Sequence, residues 1–178
     1  MKQEKITPNE HRLWVIVHQN YDLMTRGEEE ILGRQGVTSQ QFLVLWIIKF
    51  LTEIKESPVI IADLAPILYR RLNSISLIID RMEKNGLVKK VRDLPDRRAI
   101  RLQLTRKAEK LFATASKPNR EYIKKIFSAF SENEQEAFLA LMKKLKKRLN
   151  EELDIERADT DPDLASLRNI ERFINKLY

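Results

Sequence analysis

The sequence predicts a mainly α-helical fold that carries one small β-hairpin. Three observations lead there. Apolar residues return at three- and four-residue steps along most of the chain, the spacing of one helix face. The period drops to two where Ile100, Leu102 and Leu104 alternate with Arg101, Gln103 and Thr105. Four glycines and six prolines punctuate 178 residues, so loops are few.

Taken in order, Thr7-Pro8-Asn9-Glu10 sets a capping Thr, a Pro at the first helical position and a Glu three residues after the cap. The first helix carries Leu13, Trp14, Val17, Tyr21 and Met24 along one side and reaches roughly Leu32. Thr38 with Gln41 opens a second helix through FLVLWIIKFL, apolar nearly all round and therefore nearly all buried. After Ser57-Pro58, VIIADLAPILYR reads as a short extended piece and a brief third helix, in which Pro66 removes one backbone bond. In the fourth helix, RRLNSISLIIDRMEKNG, the residues Leu72, Ile75, Ile78, Ile79 and Met82 form an apolar stripe. Asn73, Ser74, Ser76 and Leu77 lie opposite, and Gly86 is the stop.

The hairpin follows, with Leu87, Val88 and Val91 in an irregular first strand and the alternating run in the second. Its connection, DLPDRRA, has neither the Asn-Gly nor the Gly-X pair that closes a tight turn. Thr105 caps a fifth helix, where Pro118 predicts a kink or break. Ser131 with Glu134 caps a sixth, aligning Phe138, Leu141, Met142, Leu145 and Leu149. Residues 154–163, DIERADTDPD, read as an acidic linker, and Asp161-Pro162 opens a last short helix bearing Leu164, Leu167, Ile170, Ile174 and Leu177.

Composition excludes several classes of function. With no cysteine there is no disulfide, thiol nucleophile or cysteine-rich zinc module. No phosphate-cradling glycine loop, nucleophile with an evident base, or catalytic metal spacing is present, so an enzyme, a cofactor and a metal are not expected. His11 and His18, seven apart, read as ordinary surface or core residues. The polar start MKQEKITPNEHR lacks the apolar core of a secretory signal, and the longest apolar run, Phe42 to Ile48, is too short to span a bilayer. A soluble cytoplasmic chain without membrane partners is expected.

The net charge of +7 is concentrated. Residues 70–110 hold 13 Lys/Arg against 5 Asp/Glu, leaving 20 against 21 in the remainder. Such a footprint fits a polyanion partner. A second run, KKLKKR from Lys143 to Arg148, reads as cations complementing a helix C-terminus.

Two short helices followed by a hairpin make a winged helix-turn-helix, with the fourth helix sized for the major groove of DNA, about 12 Å wide. Asn73, Ser74 and Ser76 are short polar groups able to reach base edges, and Arg70 and Arg71 stand at the helix start, where phosphates pass. An extended arginine suits the minor groove, about 6 Å wide, which makes Arg97 and Arg98 at the hairpin tip DNA-contact candidates, with Asp96 as their positioning acid.

At these residues the sequence resembles the MarR family of bacterial and archaeal transcription regulators. The resemblance rests on Asp96-x-Arg98 followed by Leu104-Thr105, and on DRMEKNGLV from Asp80 to Val88; in helix order it runs from about residue 9 to 150. It implies Arg98 as the minor-groove arginine, Asp96 as its positioning acid, and Asn73, Ser74, Ser76 and Leu77 as base-facing positions. It further implies a homodimer through the first and last helices, acting on a pseudo-palindromic operator, as a repressor released by a small aromatic effector. Trp14, Tyr21, Phe42 and Trp46 are the candidate effector pocket. Departures are Leu72 and Leu77 where many members carry polar residues, Ile60 where a capping Thr is common, Pro66, and the helix after Asn150, which adds to a dimer interface or folds over the DNA-binding lobe.

The expected organisation is a dimerisation helix at 1–36, a DNA-binding lobe at 37–105, further dimerisation helices at 106–153, and a linker with an extra helix at 154–178. The competing reading of the same basic wing is a non-specific architectural or RNA-associated protein.

Overall fold

The helix starts form as the capping pattern requires. Thr7 Oγ1 accepts the Glu10 N–H at 3.2 Å while the Glu10 carboxylate accepts the Thr7 N–H at 2.6 Å. Thr38 and Gln41 repeat the exchange, as do Ser131 and Glu134. Each such cap is worth about 1 kcal/mol, because it satisfies backbone donors that the first helical turn cannot. In this computed structural model, which describes residues 6–55, 57–96, 99–155 and 173, the elements are α1 (Pro8–Gly33), α2 (Ser39–Ile54), α3 (Ile61–Ile67), α4 (Leu72–Lys84), β1 (Val88–Val91), β2 (Arg101–Leu104), α5 (Arg106–Phe127) and α6 (Glu132–Glu152). The expected linker and the helix over 162–178 lie outside the described residues, apart from Phe173.

The core sits in the middle of the chain. α2 buries Phe42, Val44, Leu45, Ile47, Ile48, Phe50 and Leu51. Ile61, Leu64 and Ile67 of α3 join the same cluster with Ile75, Ile78, Ile79 and Met82 of α4, and so do Ala108, Phe112 and Ala115 of α5. Leu72 does not belong to this stripe. At the first position of α4 it is 48% exposed, since the helix has only begun to approach α3.

Ile60 offers no side-chain cap to α3, but Asp63 compensates by accepting the Ile60 N–H at 2.8 Å. Lys55 pairs with the same carboxylate at 2.6 Å. Pro66 is tolerated because α3 ends one residue later. The turn to α4 then holds Tyr69 at φ 50°, a left-handed conformation uncommon for an aromatic residue. Gly86, at φ +69°, ends α4 as its lack of a side chain predicts.

β1 and β2 are antiparallel, with Val88 opposite Leu104 and Val91 opposite Arg101. The segment before α3 flanks β2 on its other edge: the Leu102 N–H donates to Val59 O at 2.8 Å and the Ile61 N–H donates to Ile100 O at 3.1 Å. The hairpin is thereby tied to the helices on which it sits. α5 continues past Pro118 to Phe127, so of the expected kink or break the break does not occur. Packing of Phe112, Ala115, Ser116 and Asn119 along one face holds it together across the missing bond.

α1 and α6 differ from the rest. Leu32 is the one buried residue of α1, and α6 buries none. Leu13, Trp14, Ile16, Tyr21 and Leu23 lie open on α1, as do Phe138, Leu141, Met142, Leu145 and Leu149 on α6.

Candidate nucleic-acid interface

α4 owes its orientation to its apolar side, since anchoring four large residues in the core leaves the opposite side facing out. On that side Asn73, Ser74 and Leu77 are exposed, and Leu77 is 60% accessible. Ser76 is half-buried and donates its hydroxyl proton to Leu72 O at 3.0 Å, leaving only its oxygen lone pairs for a partner. Arg70 and Arg71 are exposed ahead of the helix, and Arg71 occupies the cap position without a side-chain hydrogen bond to the first turn. Uncapped N–H groups flanked by two guanidinium groups form a setting in which a phosphate oxygen completes the helix.

One set of contacts fixes the hairpin against α4, and two more order its base and its tip. Lys90 of β1 reaches back to α4, where its ammonium lies 2.7 Å from Asp80 and 3.0 Å from Glu83, and its backbone N–H donates to Glu83 at 3.0 Å. Those bonds hold the Glu83 carboxyl below the usual carboxylate range and raise the Lys90 ammonium. Thr105 donates to Gly86 O at 2.6 Å while accepting the Ala108 N–H at 3.1 Å, so one hydroxyl links the end of α4 to the start of α5. Near the tip, the Arg101 fork grips both oxygens of Asp93, with Nε 3.0 Å from Oδ1 and the second bond between Nη2 and Oδ2. This fork holds the Asp93 carboxyl low and the Arg101 guanidinium high.

Asp96 is exposed beyond that clamp, and its carbonyl accepts the Ala99 N–H at 3.0 Å across the turn. Arg97 and Arg98 lie outside the described residues. Asn73, Ser74 and Leu77 lie on the outward side of α4, and Arg70 and Arg71 are exposed just ahead of it. The positioning residues Lys90, Asp80, Glu83, Asp93 and Arg101 were not singled out from sequence. The acid spacing at Asp80 and Glu83, one helical turn apart, was the available signal.

The four effector-pocket candidates are divided between α1, which carries Trp14 and Tyr21, and α2, which carries Phe42 and Trp46. Trp14 and Tyr21 are 62% and 68% exposed on α1, and the Trp14 ring lies tilted at 42° against His18 with centroids 4.1 Å apart. Phe42 is buried against Phe112, and Trp46 stacks on Phe50. A cavity of about 540 Å³ between α2, β2 and α5 is lined by none of the four. Its cations are already paired, Lys49 with Glu109, Lys55 with Asp63, and Arg101 with Asp93. Phe173 closes edge-on against Trp46 and Phe50, with centroids 5.1 and 5.3 Å away, and is 1% exposed. Phe173 thus joins the aromatic cluster on α2.

The MarR family model matches residues 37–100, from the start of α2 to the second hairpin strand. The uncharacterised HTH-type transcriptional regulator YsmB of Bacillus subtilis is 31% identical over 117 residues, covering 66% of this chain and 77% of its own length. The chain belongs to the MarR family. With 72% of the described residues helical and one two-stranded hairpin, its fold matches MarR winged-helix structures. A cysteine-to-serine mutant of MarR from E. coli, complexed with operator DNA, superposes with a TM-score of 0.69 at 18% identity, covering 80% of this chain and 99% of that one. The organohalide-sensing regulator RdhR-CbdbA1625 in its 2,4-dichlorophenol-bound form gives 0.68 at 25% identity, covering 91% and 94%. MarR-family proteins are transcriptional regulators and not enzymes, so this chain is a transcriptional regulator. Among the described residues no helix of this MarR-family chain is long and apolar enough to cross a membrane.

Proposed function

We propose that this protein is a homodimeric, sequence-specific repressor that occupies a pseudo-palindromic operator and releases it on binding a small aromatic effector. What supports the DNA-binding part is the exposure of Arg70, Arg71, Asn73, Ser74 and Leu77 at the start and on the outward side of α4, a helix that the Lys90 bridge ties to the hairpin. α4 enters the major groove, Asn73 and Ser74 face base edges, and Leu77 meets an apolar edge such as a thymine methyl. Ser76 assists as an acceptor, Arg70 and Arg71 hold phosphates, and Arg97 and Arg98, positioned by Asp96, enter the flanking minor groove.

The dimer is supported by the apolar faces of α1 and α6, which no other part of the described protomer covers. Two-fold symmetry then sets two reading helices about 34 Å apart. The effector part draws support from the dichlorophenol-bound relative and from the aromatic candidates Trp14, Tyr21, Phe42 and Trp46. Of these, Trp46 sits in an aromatic cluster while staying partly open.

Selection of bound sequences from a random duplex pool tests the reading. The expected result is one palindrome preferred over bulk DNA by about 10³-fold or more at physiological salt. Arg98→Ala should weaken binding and relax preference at A·T-rich flanks, whereas Asn73→Ala should alter preference within the half-site. A pool that stays random would overturn the assignment and favour the non-specific architectural or RNA-associated alternative.

A further inference from the structure

The basic run on α6 is not explained by its helix. The last turn of α6, Leu149 to Glu152, holds no base and ends in two glutamates, so Lys143 to Lys147 lie one to two turns inside. Attraction to a helix C-terminus falls off within a single turn. The macrodipole expected from sequence to account for these charges therefore does not. Arg148 is committed to its own helix, pairing with Glu151 and Glu152. Lys143, Lys144, Lys146 and Lys147 have no acidic partner among the described residues.

Their position is informative. The Lys146 ammonium stands 5.9 Å from the centre of the Tyr69 ring. Tyr69 belongs to the turn between α3 and α4, immediately before Arg70 and Arg71. Lys143, Lys146 and Lys147 recur at three- and four-residue spacing and so share one side of α6, with Lys146 bordering Met142 and the side opposite carrying Phe138, Leu141 and Leu145. A cationic helix side is thus brought to the start of the reading helix, where two arginines already face out. Five positive charges at that point, with no acid among those α6 lysines' described partners, suit a polyphosphate backbone.

We propose that Lys143, Lys146 and Lys147 of α6 form a second DNA-backbone contact, which extends the phosphate footprint beyond the reading helix and the hairpin. This rests on the operator-binding reading above. The contact carries no base information, because ammonium groups on flexible stems meet phosphates as point charges. It raises affinity for any duplex equally and leaves the choice of sequence to α4.

The test compares the full-length protein with K143Q/K146Q/K147Q and with the charge-preserving K143R/K146R/K147R. Each is titrated by fluorescence anisotropy against the selected operator and a scrambled duplex across 50–200 mM KCl. The glutamine variant should bind both duplexes about tenfold more weakly at the upper salt, with an unchanged ratio between them. Its slope of log K against log salt should shrink by about 0.9 for each phosphate no longer neutralised, up to about 5 for three in each half of a dimer. The arginine variant should keep the native slope, which a purely structural role for lysine would not predict. Circular dichroism and sedimentation show whether both variants keep the native fold and assembly, so that binding changes report on charge. A wild-type protein with no preference for any duplex sinks the parent reading. A wild-type protein that prefers its operator while the glutamine variant matches it in affinity and slope overturns this inference alone.

Discussion

Replacing Phe173 by Ala tests how the end of the chain is held. The ring is 1% exposed and packs edge-on against Trp46 and Phe50. Burying a Phe side chain contributes about 1.5–3 kcal/mol, and each well-oriented aromatic pair adds about 0.5–1.5 kcal/mol. Against this, 17 residues separate Ile155 from Phe173. Restricting the two ends of a chain segment of that length costs about 2.5 kcal/mol. The net anchoring falls between about 0 and 3.5 kcal/mol, and Phe173→Ala should destabilise by about 2 kcal/mol, the middle of that range. Phe→Ala in a closed core costs more, about 3–5 kcal/mol, because there the cavity cannot be vacated by the segment that lined it.

Trp46 reports the event directly. The other tryptophan, Trp14, is already 62% exposed, so a Trp14→Phe background leaves one reporter. In that background Phe173→Ala should red-shift the emission and lower the urea midpoint. It should also speed tryptic cleavage at Arg157, Arg168 and Arg172. A variant with unchanged emission and less than about 0.5 kcal/mol of lost stability would refute the anchoring argument, since a surface substitution would do no more.

Two further outcomes are expected. Lys90→Met should cost about 1 kcal/mol of stability by leaving Asp80 and Glu83 side by side, yet weaken operator binding more than stability, because the hairpin loses its hold on α4; equal losses in anisotropy and denaturation would argue against a positioning role. The Glu83 carboxyl is held low, so its contribution is complete above the ordinary carboxylate range and lost as pH falls through the lowered value; this acid sensitivity should be smaller in Lys90→Met. Burial, then the neighbouring Glu29, raises the Glu28 carboxyl. Its ionised form is therefore penalised in the folded state at neutral pH, and the penalty disappears as pH falls below the carboxylate range. Glu28→Gln should raise the thermal midpoint at pH 7 with an advantage that shrinks in acid; a constant advantage would point to another cause.

Local order was largely written in the sequence. Capping boxes, helical periodicity, Gly86 and the switch to a period of two depend on neighbours within a few residues, and the elements they predict are those described from α1 to α6. The outward face of α4 was legible for the same reason, since four buried residues on one side determine what the other side shows. Leu72 and Pro118 mark the limit. Periodicity could not say that α4 approaches its neighbours only after its first position, nor that packing would carry α5 past a proline.

Contacts between distant residues were decided by the tertiary structure alone. Gly27 lies in the middle of α1, where a β-carbon would meet the Tyr122 hydroxyl at 1.9 Å, and no local pattern foretells that approach from a residue on α5. Likewise Lys90 meets its two acids, Arg101 clamps Asp93, Phe173 reaches Trp46, and Lys146 reaches Tyr69 only once the chain has folded back. The sequence by itself determined which segments become helices, where the hairpin forms and which face of α4 is left outward, because backbone hydrogen bonding and apolar spacing are short-range. Which charges stand together on the surface was settled by packing, because electrostatic proximity depends on distance in space and not on distance along the chain.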